Sequence, residues 1–271
     1  MMNHYQITIP VMEESTRDLL VAQLAELGFE GFEELDTELK AFIEEDNFDE
    51  NKLKQIIEHN SLTYSKSIIK KENWNAVWES NFEPVLVDDF VGIRAGFHAP
   101  LTGVQHEIVI TPKMSFGTGH HATTYSVMQL MKEIDFQGKS VFDFGTGTGI
   151  LAILAEKLGA TEVLAVDYDD WCVENASENT LINNCQFIDI QKNDTAKTMK
   201  SYQVVIANIN KNIILDNLAH LAKVVVPSGD IILSGLLSDD ENDILTACKP
   251  LGWQHIKTIQ RGAWIAIRLK G

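Results

Sequence analysis

The chain has 271 residues, 45% of them apolar, and a formal net charge of −17, so it can form one large domain or two smaller ones with real hydrophobic cores. No apolar run approaches the roughly 18 residues of a membrane helix, and the first ten residues lack the basic and apolar pattern of a secretion signal. The three cysteines, Cys172, Cys185 and Cys248, show no metal or redox spacing. We therefore expect a reduced, cytoplasmic protein without a membrane span.

The negative charge is concentrated near the start of the chain. Residues 1–60 contain 15 Asp and Glu but 4 Lys and Arg, a net charge of −11. Such a surface repels a nucleic-acid backbone and attracts and steers a basic partner. The alternative is that this acidity serves solubility alone.

Residues 1–70 have the pattern of a small α+β domain. The predicted order is β-α-β-β-α-β, which matches a ferredoxin-like domain. The predicted elements in chain order are strand His4–Ile9, helix Glu13–Leu27, strands Gly31–Leu35 and Ala41–Glu45, helix Glu50–His59 and strand Ser61–Ile69. This segment has no glycine-rich loop and no cluster of catalytic residue types, so we expect it to recognise a substrate. A dimerisation or stabilising lobe is the alternative.

Residues 71–88 are predicted to form a helical linker between two domains. Trp74, Trp78 and Phe82 recur every four residues and would therefore share one helix face. Pro84 would end the helix. We interpret the aromatic stripe as packing and not as a ligand site.

The predicted larger domain, residues 89–271, contains a glycine-bearing loop ahead of a helix. Lys113–Thr124 reads K-M-S-F-G-T-G-H-H-A-T-T, a pattern suited to closing over a bound cofactor. His120 and His121 suggest a metal, but adjacent residues do not share a helix face and no third ligand follows at a recognisable spacing. We expect no metal, and a hydrogen-bonding or substrate-lining role for the histidines.

Residues 140–170 have the pattern of the nucleotide-binding half of a doubly wound sheet. A buried strand leads into a loop with Gly145, Gly147 and Gly149, and a helix and a second strand ending in Asp167 follow. The glycines permit positive φ and a closely approaching ligand, and the helix start offers unpaired N–H groups. Asp167 stands where a carboxylate accepts hydrogen bonds from both hydroxyls of a ribose.

The ligand predicted for this loop is S-adenosylmethionine. The loop spacing is G-x-G-x-G, and the third glycine of the dinucleotide pattern would fall at Ile150. Asp143 is expected to place a carboxylate beside the ligand, which disfavours a pyrophosphate and tolerates a sulfonium cation. A dinucleotide, or a tight turn without any ligand, is the alternative.

The remaining pattern predicts a seven-stranded, mostly parallel sheet with an antiparallel hairpin at its edge. Asp194 follows the third strand, where it either accepts from an adenine amino group or is a solvated turn residue. Asn208 ends the fourth strand, on the edge of the sheet where ligands bind. There its oxygen can accept a hydrogen bond from an amine, or its side chain can cap the next helix.

Five motifs together resemble the ribosomal protein L11 methyltransferases of bacteria. They are W-x-x-x-W-x-x-x-F-x-P at Trp74–Pro84, F-G-T-G-H-H-x-T-T at Phe116–Thr124, D-F-G-T-G-T-G-I-L-A-I at Asp143–Ile153, V-D-Y-D at Val166–Asp169 and A-N-I at Ala207–Ile209. The match covers most of residues 70–271, and the motif with the paired histidines is far more specific than the glycine loop.

This resemblance implies a class I methyltransferase, Rossmann-like, with a small N-terminal domain that recognises the ribosomal protein. The larger domain would methylate lysine side chains and the N-terminal amine of that protein, with S-adenosylmethionine as the donor. Carried over by motif, the cofactor contacts are Thr124, Gly145 with its loop neighbour Gly147, Asp167 and Asn208, with Phe116 and His120 near the methionine end.

The expected mechanism is an in-line displacement in which a neutral amine attacks the methyl carbon. Because such a reaction needs orientation more than acid–base groups, we expect Asn208 to orient the amine, and we assign no general base.

The expected partner is a basic ribosomal protein, with no direct binding of nucleic acid and no membrane contact. The alternatives are a methyltransferase acting on RNA or a small-molecule amine, and a nucleotide-binding assembly factor or dinucleotide reductase without methyl transfer.

Overall fold

The computed structural model describes residues 4–35, 37–69, 82–112 and 119–271. The chain divides into two compact units, Met1–Asn81 and Phe82–Gly271. Trp74 and Trp78 of the predicted linker helix, and the candidate site residue Phe116, lie outside the described residues.

The described residues of the first unit, 4–35 and 37–69, form a four-stranded antiparallel sheet with two α-helices. Its elements are β1 (His4–Pro10), α1 (Glu14–Glu26), β2 (Gly31–Glu34), β3 (Glu38–Glu44), α2 (Glu50–His59) and β4 (Ser65–Ile69). The spatial order β2-β3-β1-β4 is that of the predicted ferredoxin-like arrangement. Alternate residues of β1 and β3, such as Ile7 and Ala41, are fully buried in one core with Leu24 of α1 and Leu53 of α2, as the period of two along a strand requires.

The second unit begins with a three-stranded sheet, in which β5 (Val85–Val87) is antiparallel to β6 (Val91–Ala95), and β6 is parallel to β7 (His106–Ile110). The described end of the predicted helical linker 71–88 is therefore a strand. The reason is local, because Pro84 cannot continue a helix and favours extended backbone around it.

A seven-stranded sheet forms the body of the second unit. Its strands and the helices around it are α3 (Ala122–Met131), β8 (Ser140–Phe144), α4 (Ile150–Lys157), β9 (Glu162–Asp167), α5 (Asp170–Ile182), β10 (Ile188–Lys192), β11 (Tyr202–Asn208), α6 (Lys211–Val224), β12 (Val225–Leu237), α7 (Glu241–Cys248), β13 (Gln254–Arg261) and β14 (Trp264–Lys270). The order is β10-β9-β8-β11-β12-β14-β13, and only the two pairings of β14 are antiparallel. The predicted doubly wound, mostly parallel sheet is confirmed.

Successive side chains of β11 pack alternately into two hydrophobic cores, one on each face of the sheet. Val204 and Ile206 pack in the core that includes α3 and α4, while Val205 and Ala207 pack in the core that includes α6 and α7. All four side chains are fully buried, which holds the next residue, Asn208, at a fixed point on the carboxyl edge. Within the described part of the chain, no helix combines the length and apolar character needed to cross a lipid bilayer.

Candidate functional site

A cavity of about 820 Å³ lies in the second unit at the carboxyl ends of β8, β9 and β11. The strand order reverses between β8 and β11, since the chain continues from β8 to β9 on one side and later adds β11 on the other. In open α/β sheets this switch point is where ligands bind. The residues that line the cavity and bear on its chemistry are His121, Thr124, Gly145, Thr146, Gly147, Asp167, Asp169, Asp194, Asn208, Asp216, Gly235 and Trp264.

The glycine loop after β8 is folded back onto β9. The N–H groups of Gly145 and Thr146 both donate to the carbonyl of Val166, at 2.9 Å. Gly145 has φ +81°, and a Cβ on it would lie 2.2 Å from the Cγ2 atom of Ile209. Both the backbone conformation and the close approach therefore require glycine at this position.

Asp167 connects the end of β9 to that loop. Its Oδ2 atom accepts from the N–H of Gly147 at 2.9 Å and its Oδ1 atom from the N–H of Asp169 at 3.1 Å. The residue is 7% exposed and lines the cavity. Because each carboxylate oxygen has a second lone pair, Asp167 keeps acceptor capacity for the hydroxyls of a ligand.

Asp143 is not beside the cavity, so the expectation that its carboxylate faces the ligand is wrong. The residue is fully buried in β8, and its Oδ2 atom accepts from Thr146 Oγ1 at 2.6 Å. Burial raises the pKa of Asp143 to about 7, the bond from Thr146 opposes the rise, and the negative charge of Asp167 adds to it. The group therefore holds the loop from the interior and does not act on the ligand.

Other carboxylates give the cavity its negative character. Asp167, Asp169, Asp194 and Asp216 line it, whereas no Lys or Arg is among the described residues of its wall. This arrangement attracts a cation and disfavours a pyrophosphate. The sequence analysis used Asp143 to predict a site that tolerates a cation and disfavours a pyrophosphate. Other carboxylates support that prediction.

Asn208 lines the cavity, and its amide oxygen is unpaired. Its Nδ2 atom donates to Oγ1 of Thr124 at 3.3 Å, and Thr124 is 1% exposed. Its Oδ1 atom is buried and has no hydrogen-bond partner in the described structure. Asn210 caps α6 instead, accepting from the N–H of Ile213 at 3.1 Å, so the capping alternative for Asn208 does not hold.

The two adjacent histidines lie in different environments. His121 caps α3 by accepting from the N–H of Thr123 at 3.3 Å, and its ring meets the ring of Trp264 edge-on, 4.6 Å between centroids, in the cavity wall. The ring of His120 instead packs against Phe82, and its Nε2 atom lies 2.9 Å from the carbonyl of Glu83. His120 is not among the described residues that line the cavity, and its predicted place near the methionine end of the ligand stays a prediction. The described residues include no group of three side chains suited to a metal ion.

Gly235, Asp216 and Trp264 are among the cavity-wall residues that the sequence analysis did not predict. Gly235 had a local signal, a glycine at the tip of an apolar strand, and a Cβ there would lie 2.1 Å from the carbonyl oxygen of Ile209. Asp216 and Trp264 carry no local signal. Trp264 reaches the wall because β14 inserts between β12 and β13, a pairing that the sequence pattern did not reveal.

Comparisons with known proteins agree on one family. A family model described as "Ribosomal protein L11 methyltransferase (PrmA)" matches residues 8–271. Proteins named ribosomal protein L11 methyltransferase from Porphyromonas gingivalis and Phocaeicola vulgatus are 40% and 37% identical to this chain, cover 94% of it in both cases, and are themselves covered to 91% and 94%.

Solved structures with the same fold are similar to this chain at lower identity. A ribosomal protein L11 methylase from Lactobacillus delbrueckii subsp. bulgaricus superposes with a TM-score of 0.65 at 29% identity, over 69% of this chain and 98% of that one. A methyltransferase from Pyrococcus furiosus, with a TM-score of 0.51 and 18% identity, covers 60% of this chain and 88% of its own and shares the fold.

Proposed function

Because the chain belongs to the ribosomal protein L11 methyltransferase family, we propose that it transfers methyl groups from S-adenosylmethionine to amino groups of ribosomal protein L11. The observation that carries this proposal is the unpaired, buried amide oxygen of Asn208 in a cavity lined by carboxylates. A buried acceptor without a partner is costly unless a ligand N–H donates to it.

The residues of the cavity fit S-adenosylmethionine. Asp167 would hold the ribose hydroxyls, and the loop at Gly145 and Gly147 would let the cofactor approach the backbone. Thr124 lines the same cavity and orients Asn208. When bound, S-adenosylmethionine supplies a methyl group on a positively charged sulfur. An acidic wall tolerates this positive charge, whereas a site built for a pyrophosphate would not.

Asn208 would orient the amine that receives the methyl group. Its Oδ1 atom accepts one N–H of the substrate, while the bond from Nδ2 to Thr124 keeps the amide from rotating. Such positioning can contribute about 7–11 kcal/mol to lowering the barrier. The substrate ammonium, with an ordinary pKa of about 10.4, must first lose a proton to solvent, so no general base is assigned.

We further propose that residues 1–70 recognise the ribosomal protein. The net charge of −11 over residues 1–60 attracts a basic protein and repels RNA. An activity on RNA is therefore the less favoured alternative. The proposed substrate also places the enzyme in the cytoplasm.

The test is a methyl-transfer assay on extract from cells that lack this protein. S-adenosylmethionine labelled in its methyl group is added together with the purified chain. We expect the label in one protein of the size of L11, and much slower labelling when Asn208→Ala replaces the parent. Asn212→Ala, an exposed position on α6, is the matched control and should label as the parent does. Label in RNA, or no label at all, would overturn the proposal.

A further inference from the structure

A row of asparagines on α5 and at its C-terminal cap ties two neighbouring segments together. Asn175, Asn179 and Asn183 follow at intervals of four residues and share one helix face. The first two are fully buried. All three donate or accept hydrogen bonds with backbone groups of β7 or of Thr111, the residue after it.

The spacing of Asn183 and Asn179 matches the strand that they face. Four residues of helix rise about 6 Å, and two residues of strand rise about 6.6 Å. Asn183 pairs with both backbone groups of Val109, accepting at 3.0 Å and donating at 2.6 Å. Two strand residues further on, Asn179 accepts from the N–H of Thr111 at 2.8 Å, and Asn175 donates to its carbonyl at 3.1 Å.

Asn179 differs from the other two because it also reaches the glycine loop. Its Nδ2 atom donates to the carbonyl of Thr148 at 2.8 Å. The helix lies close to the loop at this point, since a Cβ on Gly149 would be 3.1 Å from the Cβ of Ala176. One side-chain amide thus joins the backbone of Thr111 to the backbone of the glycine loop.

Both segments that Asn179 joins lead to residues of the cavity wall. The glycine loop provides Gly145 and Gly147, and His121 and Thr124 of the cavity wall follow Thr111 in the sequence. The loop's other bonds noted above come from β8 and β9, through Asp143, Val166 and Asp167. Asn179 is therefore an anchor from a different element, on α5.

We propose that Asn179 is a positioning residue for the cofactor, one that sets the glycine loop against the segment carrying Thr124. This inference rests on the proposed function, because it concerns the affinity of the same cavity for S-adenosylmethionine. Asn183 has the same chemistry on the same helix but contacts only β7 and its own helix, so it is expected to affect stability and not the cofactor.

The matched variants Asn179→Asp and Asn183→Asp test this inference. Each variant keeps the size of the side chain and the oxygen that accepts from a strand N–H. Each replaces the NH₂ group, which donates, by an oxygen, which accepts. We expect the dissociation constant of S-adenosylmethionine, measured by calorimetry at about pH 8.5, to rise about tenfold in Asn179→Asp, the scale of one lost hydrogen bond. It should stay within about twofold in Asn183→Asp. The Michaelis constant for S-adenosylmethionine should rise with the dissociation constant, with turnover at saturation less affected.

Lower pH provides a rescue that a merely structural role would not show. A protonated aspartic acid can again donate to the carbonyl of Thr148, so Asn179→Asp should regain affinity, relative to Asn183→Asp, at about pH 6. If a variant does not fold, Asn179→Ala and Asn183→Ala ask the same question without a buried charge. Equal cofactor affinity in the two matched variants would overturn the inference, whereas failure of the parent chain to bind S-adenosylmethionine would overturn the proposed function itself.

Discussion

Replacing Asp167 by asparagine should weaken the binding of S-adenosylmethionine without unfolding the protein. The carboxylate accepts from two backbone N–H groups, one on each oxygen, at 2.9 and 3.1 Å. An amide of the same size has one oxygen, so its NH₂ group must face the N–H of either Gly147 or Asp169. The same change removes the charged acceptor proposed for the ribose hydroxyls.

The expected magnitude follows from the bonds that are lost. A hydrogen bond to a charged group contributes about 1.5–3 kcal/mol. Since about 1.4 kcal/mol corresponds to a tenfold change, the dissociation constant should rise by about 10- to 150-fold. The loop is still held by the bonds of Gly145 and Thr146 to Val166, so the variant should fold.

Isothermal titration calorimetry with S-adenosylmethionine measures this effect, with Asp170→Asn as the control. Asp170 undergoes the same change of charge, but its carboxylate pairs with Lys192 at 2.6 Å on the surface and does not line the cavity. Asp170→Asn should bind as the parent does. If Asp167→Asn and Asp170→Asn bind equally well, Asp167 does not hold the cofactor.

Three further outcomes are expected. Asn208→Ala should lower turnover while changing cofactor affinity little, which stopped-flow assays and calorimetry separate; equal losses in both would place Asn208 in cofactor binding alone. Gly235→Ala should destabilise the fold by about 3 kcal/mol or more, because its Cβ would meet backbone atoms at positive φ, whereas Gly138→Ala, at positive φ but with no atom within 4 Å, should cost about 1 kcal/mol in urea unfolding. Asp143 has a pKa raised to about 7 when folded, so its contribution to stability is fully present below about pH 4 and is lost as the pH rises through about 7. Asp143→Asn should therefore gain about 2–3 kcal/mol relative to the parent between about pH 5 and pH 8, and a pH-independent difference would contradict the buried titration.

The sequence was most informative about features that are formed by residues close together in the chain. The strand, glycine loop and helix around Gly145 lie within one short stretch, and the acid at Asp167 ends the next strand, so their meeting follows from the right-handed connection of parallel strands. Asn208 could be placed for the same reason, because the carboxyl ends of parallel strands share one edge of the sheet. These positions required no knowledge of distant pairings.

The sequence was less informative where the position of a side chain depends on a shift of one residue or on the pairing of distant segments. Asp143 was expected at the ligand, but its strand is buried on both faces, and nothing in an apolar run shows which way a carboxylate points. The start of α3 at Ala122 makes His121 the cap in the cavity wall and leaves His120 beside Phe82. A prediction accurate to one residue would have been needed to tell the two histidines apart.

The most direct test of the proposed activity is mass spectrometry of purified ribosomal protein L11 after incubation with this chain and S-adenosylmethionine. Methylation predicts that intact L11 gains mass in whole methyl groups, located on lysine side chains or the N-terminal amine, and that Asn208→Ala slows the gain. Ribosomal protein L11 of unchanged mass, under conditions in which calorimetry shows the cofactor bound, would contradict the proposed function.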